Sequence, residues 1–538
     1  MELSLNGLKA KQDWQNAGVA LPAFSIEDMR RETAQKPAWV HFGGGNIFRG
    51  FIAGLQQTLL EKGLEKTGVI VAESYDEEIL EKIYQPYDLL TLMVTLLPDG
   101  TMQKQVIGSV AGAYAASSPK IRACFQQSSL QIASFTITEK GYSLYGIDGD
   151  YSAVALMDMN GGPAAPQHAM GIAASLLWSR FQSGAFPIAM VSMDNCSRNG
   201  EKFRGAVLEM SRAWAERQYV SQAFLAYLED ESRVSFPWSM IDKITPRPDQ
   251  KVKKQLDNLS VEHMEPVLTA RKTYIAPFVN AEAPQYLVIE DCFPAGRPAF
   301  EAAGVYMTDQ ETVALTERMK VTTCLNPLHT ALAIFGCLLG YRSIAAEMQD
   351  ADLVSLIRQI GYQEGLPVVD QPGIIDPKAF LDEVVEKRFP NPFMPDTPQR
   401  IATDTSQKIP VRFGETIKSY LKRGADECAR LTAIPLVLAG WLRYLLGVDD
   451  QGKPMEISPD PLLPQLKEKL AGYQLGMKGK NLRGIQQILC NQEIFGVNLY
   501  EAGLGEKVED NFLRLLDGPG AVRRALLQLR RQAEPPHD

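Results

Sequence analysis

The sequence predicts an α/β protein with an N-terminal doubly wound parallel sheet followed by a mainly α-helical C-terminal domain. From about residue 38, short apolar and β-branched runs alternate with helical stretches. After about residue 285 the pattern changes to amphipathic or buried helices with few strand-like runs. The length of 538 residues also exceeds what one hydrophobic core normally supports. We therefore predict two domains, residues 1–285 and 286–538.

Four of the predicted strands end in polar segments. The strands are "WVHF", "GVIVAES", "QIASFTI" and "FPIAMVS", and the polar segments after them are "GGGN", "ESYD", "TEKGY" and "MDNCSRNG". Ligands of doubly wound sheets bind beyond the carboxyl ends of the strands. We therefore expect a binding site at these segments. A later strand, "YLVIED", lies near the predicted boundary and fits either domain.

The composition of the chain argues against several classes of function. A net charge of −9 argues against nucleic-acid binding, which needs a basic face. Seven cysteines without a C-x-x-C pair indicate reduced thiols, and five histidines without an H-E-x-x-H motif give zinc little to bind. The N-terminus lacks a signal peptide's apolar region, and "HTALAIFGCLLGY" is too short to span a bilayer. These features predict a cytoplasmic protein without a metal.

The segment "HFGGGNIFRG" has the features of a dinucleotide-binding turn of the Rossmann type. Gly43 and Gly45 stand where the chain turns and where the backbone approaches a pyrophosphate, beside Asn46. Phe48 replaces the third glycine of the usual fingerprint, and Arg49 follows as a candidate phosphate ligand. A tight glycine turn without a ligand is the alternative interpretation.

A carboxylate follows the next strand at the spacing typical of an adenosine ribose contact. Glu73 ends "VIVAE", and Asp76 is the second candidate. An acid at this place favours NAD over NADP because it repels a 2′-phosphate. The alternative is an acid on a solvated loop.

Lys320, Asn326 and His329 lie close together in "MKVTTCLNPLHTALA". Spacing alone does not make them catalytic, because a histidine beside an apolar run is more often a hydrogen-bonded core residue. Asn326 before Pro327 also fits a helix N-cap followed by proline at the first helical position.

Eight motifs in order resemble the polyol-specific long-chain dehydrogenases, the mannitol dehydrogenase family. They are "HFGGGNIFRG", "TITEKGY", "SMDNCSRNG", "FPWSMIDKITP", "YLVIEDCFPAGRPAFEAAG", "ERMK…LNPLH", "RIATDTSQKIP" and "AGWLRYLLGVDDQGKPMEISPDPLLP". The resemblance runs from about residue 38 to 520. It implies a zinc-independent, NAD-dependent oxidoreductase in which a lysine is the general acid and base.

The resemblance also implies roles for particular residues. The catalytic residues are Lys320, Asn326, His329 and Asn195, and the substrate-binding residues are Asp242, Arg400 and Lys408. The cofactor contacts are Gly43, Gly45, Asn46, Phe48, Arg49, Glu73, Thr138 and Glu139. The alternatives without a functional role are an ordinary turn after a strand for "TEKGY" and a solvent-exposed pair of cations on a loop for Arg400 and Lys408.

The spacing at the lysine departs from the family pattern. Six residues instead of five separate Lys320 from Asn326, and proline follows. On a regular helix Lys320 and His329 would face opposite ways. The triad therefore requires a kink or a π-bulge between residues 320 and 327.

Within the family, the segment from "AGWLRYLLGVDDQG" to "EISPDPLLP" favours fructuronate reductase, which interconverts D-fructuronate and D-mannonate. The alternatives are mannitol 2-dehydrogenase or another polyol dehydrogenase, and tagaturonate reductase. A non-catalytic NAD-binding protein is the alternative from another class. The sequence does not indicate an oligomeric state.

Overall fold

The computed structural model describes residues 1–146, 148–477 and 482–533. The chain forms two compact units. Unit 1 comprises Met1–Leu97 and Thr101–Ala314, and unit 2 comprises Pro98–Gly100 and Leu315–Asp538.

All the strands of the described residues lie in unit 1. In chain order they are β1 (Val19–Ala20), β2 (Trp39–Phe42), β3 (Val69–Glu73), β4 (Thr91–Leu96), β5 (Met102–Ile107), β6 (Val110–Ala115), β7 (Ile132–Phe135), β8 (Ile188–Ser192), β9 (Val234–Ser235), β10 (Ser239–Asp242), β11 (Val267–Leu268), β12 (Tyr274–Ile275), β13 (Phe278–Glu282), β14 (Tyr286–Glu290) and β15 (Tyr306–Thr308).

The main sheet has six parallel strands in the order β6-β3-β2-β7-β8-β9. The register pairs Phe42 of β2 with Ala72 of β3 and with Phe135 of β7. The chain moves outward from β2 first in one direction and then, from β7, in the other. The carboxyl ends of β2 and β7 therefore form the switch point at which such sheets bind ligands.

Three smaller sheets complete unit 1. They have the orders β1-β5-β4-β13, β10-β14-β15 and β11-β12. The strand that the sequence left open, β14, pairs antiparallel with β10 and parallel with β15, so it belongs to unit 1.

Helices cover both faces of the main sheet, where buried apolar residues form two core clusters. The helices of unit 1 are α1 (Lys11–Asn16), α2 (Ile26–Gln35), α3 (Ala53–Glu61), α4 (Pro119–Phe125), α5 (Ala153–Gly161), α6 (Ala169–Gln182), α7 (Asn199–Glu216), α8 (Gln222–Glu229) and α9 (Gln250–Asn258); α10 (Gln310–Met319) crosses from unit 1 into unit 2. Capping follows sequence rules: the Ser25 hydroxyl accepts from Asp28 N at the start of α2.

The regular elements of unit 2 among its described residues are helices, joined by turns and loops. Its helices are α11 (Asn326–Leu339), α12 (Ile344–Glu347), α13 (Ala351–Arg358), α14 (Pro377–Glu383), α15 (Pro398–Ile401), α16 (Thr405–Ile409), α17 (Glu415–Arg423), α18 (Ala425–Ala429), α19 (Ala433–Tyr444), α20 (Leu463–Leu470), α21 (Arg483–Leu489), α22 (Gln492–Phe495), α23 (Gly505–Leu515) and α24 (Ala521–Ala533). Nearly all of α11 and all of α19 are buried, so these two helices form the centre of the unit.

The predicted fold class is confirmed: a Rossmann-type sheet precedes a helical domain. The helical segment Gln310–Leu339, which is interrupted at Leu325, extends well beyond the apolar run seen in the sequence. Its 30 residues suffice by length and composition to cross a membrane, but 83% of its most apolar window is buried within the protein. Such burial is typical of a core helix.

Candidate active site

The glycine turn closes over the end of β7 and leaves room beyond it. Gly43 has φ +104°, and a Cβ there would lie 2.3 Å from the carbonyl oxygen of Thr136. Glycine is therefore required. A Cβ at Gly45 would meet nothing within 4 Å, and the buried Oδ1 of Asn46 has no hydrogen-bond partner among the described residues. This space and this unpaired acceptor fit a bound ligand that carries donors, as the proposed dinucleotide does.

Glu73 fixes the glycine turn in place. Its Oε2 accepts a 2.7 Å hydrogen bond from Gly44 N, and its Oε1 accepts from Tyr75 N (2.8 Å) and Asp76 N (3.1 Å). The hydroxyl of Tyr84 donates to Gly44 O at 2.9 Å. Glu73 is only 4% exposed, so its first role is to hold the turn. The ribose contact stays a prediction.

Asp76, the second candidate for the ribose contact, forms a buried hydrogen bond with another part of unit 1. It is 2% exposed, and its Oδ2 accepts a 2.6 Å hydrogen bond from the Thr269 hydroxyl. This bond fastens the turn between β11 and β12 to the segment after β3.

Phe48 fills the space that the missing third glycine would leave open. Its ring stacks on His41 of β2 with centroids 4.4 Å apart and planes 19° apart. His41 is fully buried, its ring nitrogens contact Ser134 Oγ (2.7 Å) and Thr136 Oγ1 (2.8 Å), and burial lowers its pKa to about 3. A neutral imidazole therefore supports Phe48, which lies in the packing behind the turn.

Arg49 requires a correction. The sequence suggested a phosphate ligand, but its guanidinium points into the interior of unit 1 and is 1% exposed. Nη2 donates to Ala276 O (2.7 Å) and Pro277 O (2.9 Å), and Nε donates to Thr91 Oγ1 (3.1 Å). The π-helical turn Phe48–Ile52 at the start of the helix turns this side chain inward. The geometry assigns Arg49 to the core and does not support a phosphate contact.

The segment after β7 is held by an acid that sequence reasoning missed. Asp194 accepts hydrogen bonds from Ile137 N (2.8 Å), Thr138 N (3.0 Å) and the Tyr142 hydroxyl (2.8 Å). Thr138 is exposed and has φ +67°, a conformation that non-glycine residues rarely adopt outside constrained sites. Glu139 is exposed and pairs with Lys202 at 2.5 Å.

Asn199 was also missed, although it lies within a quoted motif. It is 1% exposed; Nδ2 donates to Asp194 O (3.1 Å) and Ser239 O (2.9 Å), and Oδ1 accepts from Ser239 N (2.9 Å). It therefore joins the end of β8 to the start of β10. The predicted Asn195 follows β8 and is exposed, and Asp242 is the buried last residue of β10.

The predicted break between Lys320 and Asn326 is confirmed. Lys320–Cys324 form a π-helical turn, Leu325 leaves helical geometry at φ −128° and ψ −63°, and α11 begins at Asn326. Asn326 is therefore the first residue of the helix and not its N-cap, and no side chain caps α11. Insertions of this kind in helices are frequent at functional sites.

Lys320 is 2% exposed, as its proposed chemistry requires. Asn326 is linked to the interior of unit 2 through its main chain. The Thr330 hydroxyl donates to Asn326 O at 3.0 Å, and Arg412 Nη1 donates to that hydroxyl at 2.5 Å.

His329 lies among cations. Burial lowers its pKa to about 3, with further contributions from Arg412, Arg400, Arg388 and Lys408. Its Nε2 lies 3.5 Å from Asp396 Oδ2, beyond a normal hydrogen bond, and has no partner among the described residues. At neutral pH the ring is therefore uncharged, and this contact is not an ion pair.

The structure brings both predicted cations to this histidine. Arg400 pairs with Asp396, and Lys408 Nζ donates to the carbonyls of Ile401 (3.2 Å) and Thr403. The pKa of Lys408 is lowered to about 8 by burial, then by Arg412 and Arg400, against the opposing effects of Asp404 and Asp460.

Arg388 and Arg412 complete the group and were not predicted. Both lie on π-helical turns, Val384–Arg388 and Pro410–Gly414, as Lys320 does. The signal in the sequence was the density of cations between Arg388 and Arg412. We call Arg388, Arg400, Lys408 and Arg412 the cation cluster.

Comparison with known proteins identifies the family. The model of the mannitol dehydrogenase Rossmann domain matches residues 37–301, and that of the mannitol dehydrogenase C-terminal domain matches residues 313–516. The chain belongs to the mannitol dehydrogenase family. It is therefore an oxidoreductase with dehydrogenase relatives.

The relatives include sugar-acid and polyol enzymes. The chain is 50% identical to a D-mannonate oxidoreductase of Thermotoga maritima, over 98% of both chains. It is 27% identical to the D-mannonate oxidoreductase of Escherichia coli, over 85% of this chain and 91% of that one. It is similar to the structure of Pseudomonas fluorescens mannitol 2-dehydrogenase in complex with NAD and D-mannitol (26% identity, TM-score 0.70, 99% and 100% coverage).

Proposed function

We propose that this enzyme is an NAD-dependent D-mannonate oxidoreductase that reduces D-fructuronate and oxidises D-mannonate. Lys320 is the general acid and base. In this proposal residues 1–285 provide the dinucleotide site and residues 286–538 the catalytic lysine and the substrate's cation contacts.

The observation that carries the proposal is the positive field at His329. Four cations, the cation cluster, lower the pKa of His329, and Asp396 is the acid that lies beside the ring. A carboxylate bound beside it would replace the water that these charges lose on burial, and arginine matches a carboxylate in two-point geometry. The substrate is therefore a sugar acid. The 50% identity to a D-mannonate oxidoreductase, over 98% of both chains, agrees with this assignment.

Lys320 moves the proton. Oxidation of a secondary alcohol removes the hydroxyl proton as hydride leaves the same carbon, and reduction returns both. The bound NAD would accept or supply the hydride. Lys320 is 2% exposed, and a lysine amine held away from bulk water can accept the proton in oxidation and return it in reduction.

The remaining polar groups hold the reacting oxygen and the substrate. Asn326 and Asn195 donate to the oxygen as negative charge develops on it, which is worth about 3–4 kcal/mol per donor in comparable sites. Neutral His329 supplies a further hydrogen bond through its unpaired Nε2. Asp242, Arg400 and Lys408 bind the substrate.

The cofactor contacts follow the geometry of the glycine turn. Gly43 and Gly45 admit the pyrophosphate, Asn46 offers its unpaired Oδ1, and Glu73 fixes the turn. Thr138 and Glu139 remain proposed cofactor contacts. Phe48 supports the glycine turn through its stacking on His41. The enzyme acts in the cytoplasm on a small molecule.

A substrate panel tests the proposal. The purified chain is mixed with NADH and, in separate reactions, with D-fructuronate, D-tagaturonate and D-fructose, and NADH absorbance is followed. We expect the highest kcat/KM with D-fructuronate and the reverse reaction with D-mannonate and NAD. Preference for D-fructose would favour mannitol 2-dehydrogenase, the alternative that the similarity to that enzyme supports. Cofactor binding without any turnover would favour a non-catalytic NAD-binding protein.

A further inference from the structure

Arg412 reaches the first turn of α11 through one hydroxyl group. Its Nη1 donates a 2.5 Å hydrogen bond to Thr330 Oγ1, and the Thr330 hydroxyl donates at 3.0 Å to Asn326 O. Thr330 is 1% exposed, so water does not compete for either bond. A hydroxyl has one proton and two lone pairs, so both bonds form together.

The first turn of α11 lacks the hydrogen bonds that usually hold the start of a helix. No side chain caps α11, and Pro327 has no N–H to donate. The preceding residue, Leu325, has left helical geometry after the π-helical turn. The Arg412–Thr330–Asn326 connection is therefore a specific tie from this turn to another element, the π-helical turn Pro410–Gly414.

Arg412 also acts by charge. It is the first of the cations that lower the pKa of His329, and the first that lowers the pKa of Lys408 after burial itself. The other charged groups acting on Lys408 are Arg400, which adds to this effect, and Asp404 and Asp460, which oppose it. Burial lowers the pKa of Arg412 only to about 10, so the guanidinium stays charged at neutral pH.

We propose that Arg412 is a positioning residue with two separable effects on the reaction. Through Thr330 it holds the turn that carries Asn326, and its charge acts on Lys408, which lies four residues earlier on the consecutive helical turns Thr405–Ile409 and Pro410–Gly414. The inference rests on the proposed function, because it assigns Asn326 to the reacting oxygen and Lys408 to the substrate.

Two variants separate the two effects. Thr330→Val removes the hydroxyl and keeps the charge of Arg412, whereas Arg412→Met removes both the bond and the charge. Thr330→Val should lower kcat about 3- to 10-fold. It should leave unmoved the alkaline limb of the plot of kcat/KM against pH, that is, the pH above which kcat/KM falls. Arg412→Met should lower kcat similarly and move that limb upward by at least about half a pH unit. Arg412→Lys, which keeps the charge, should lower kcat without moving the limb.

Controls and the double variant make the test decisive. Thr33→Val in unit 1 removes a hydroxyl with the same pair of bonds, to Met29 O (2.7 Å) and from Gly68 N (2.8 Å), and should change neither quantity. Thr330→Val with Arg412→Lys should lower kcat no further than either change alone, because both break one connection. If Arg412→Met does not fold, Arg412→Lys and Thr330→Val still test the connection.

Two results would overturn the inference: wild-type kcat in Thr330→Val and Arg412→Lys, or a limb that stays in place in folded Arg412→Met. Failure of the proposed function is distinct, because the wild-type enzyme would then show no turnover with any sugar acid of the panel.

Discussion

Nε2 of His329 lies 3.5 Å from Oδ2 of Asp396, yet the two do not form an ion pair. The pKa of His329 is lowered to about 3 by burial and by the cation cluster, so the ring is neutral near neutral pH. Asp396 instead pairs with Arg400. Nε2 therefore has no hydrogen-bond partner among the described residues, and the proposed mechanism assigns it to the substrate.

The first prediction concerns this neutral ring. His329→Leu should lower kcat about tenfold, because it removes a donor to the reacting oxygen or its neighbour. A group with a pKa of about 3 does not titrate between about pH 5 and 7, so the acid side of the pH–rate profile should be the same in both proteins. An acid limb near the ordinary histidine pKa that is present in the wild type and lost in the variant would contradict this account.

The second prediction concerns Lys408. Its pKa of about 8 means that the ammonium form dominates below that pH and is lost above it. The KM for D-fructuronate should therefore be flat below about pH 7 and rise above about pH 8. Lys408→Met should raise KM about tenfold or more and remove this rise. Lys422→Met, which changes an exposed lysine of α17, should retain it. A KM that falls at alkaline pH would contradict the assignment.

The third prediction tests the correction at Arg49. Arg49→Met leaves the carbonyls of Ala276 and Pro277 without their donor and should lower the free energy of unfolding by about 2–4 kcal/mol. The affinity for NADH, measured by fluorescence on the folded variant, should stay within about twofold of wild type, since the side chain faces the core. Arg31→Met, at an exposed pair with Asp28, should change neither quantity. A large loss of NADH affinity at unchanged stability would restore the phosphate role.

The fourth prediction concerns Glu347, which is fully buried against Gly336 with both carboxylate oxygens unpaired among the described residues. Burial, with a contribution from Asp350, raises its pKa to about 9. A folded-state pKa above the unfolded one means that the native state binds more protons between about pH 4.5 and 9, so stability falls as pH rises through that window.

Glu347→Gln removes this titration with almost no change in shape. Its melting temperature should exceed that of the wild type at pH values near 8, and the difference should shrink towards about pH 5. A difference that is constant across this range would show that the carboxyl group does not titrate as proposed.

The sequence predicted the fold class and the break after Lys320 because the signals for both are local. Strand periodicity and polar strand ends gave the parallel sheet, and the six-residue spacing from Lys320 to Asn326 predicted the break that the π-helical turn Lys320–Cys324 provides. One extra residue rotates Lys320 away from His329 on a regular helix. Only a local break in the helix can bring the two side chains to the same side, so the sequence predicted the break directly.

The sequence did not predict which way side chains turn or which distant residues meet. Arg49 stands beside the glycines in the sequence, but its carbonyl partners lie more than two hundred residues away. Arg412 and Asn199 carry no local motif, and their roles depend on tertiary contacts with Thr330 and Ser239. Proximity along the chain gave a wrong prediction for Arg49. It gave no prediction for Arg412 and Asn199.

The most direct test of the central claim is the turnover of Lys320→Ala with D-fructuronate at saturating NADH. The account predicts a kcat lowered by about 10²–10⁴-fold, the range for loss of a general acid and base, with NADH affinity retained. Undiminished turnover in a folded Lys320→Ala protein would contradict it.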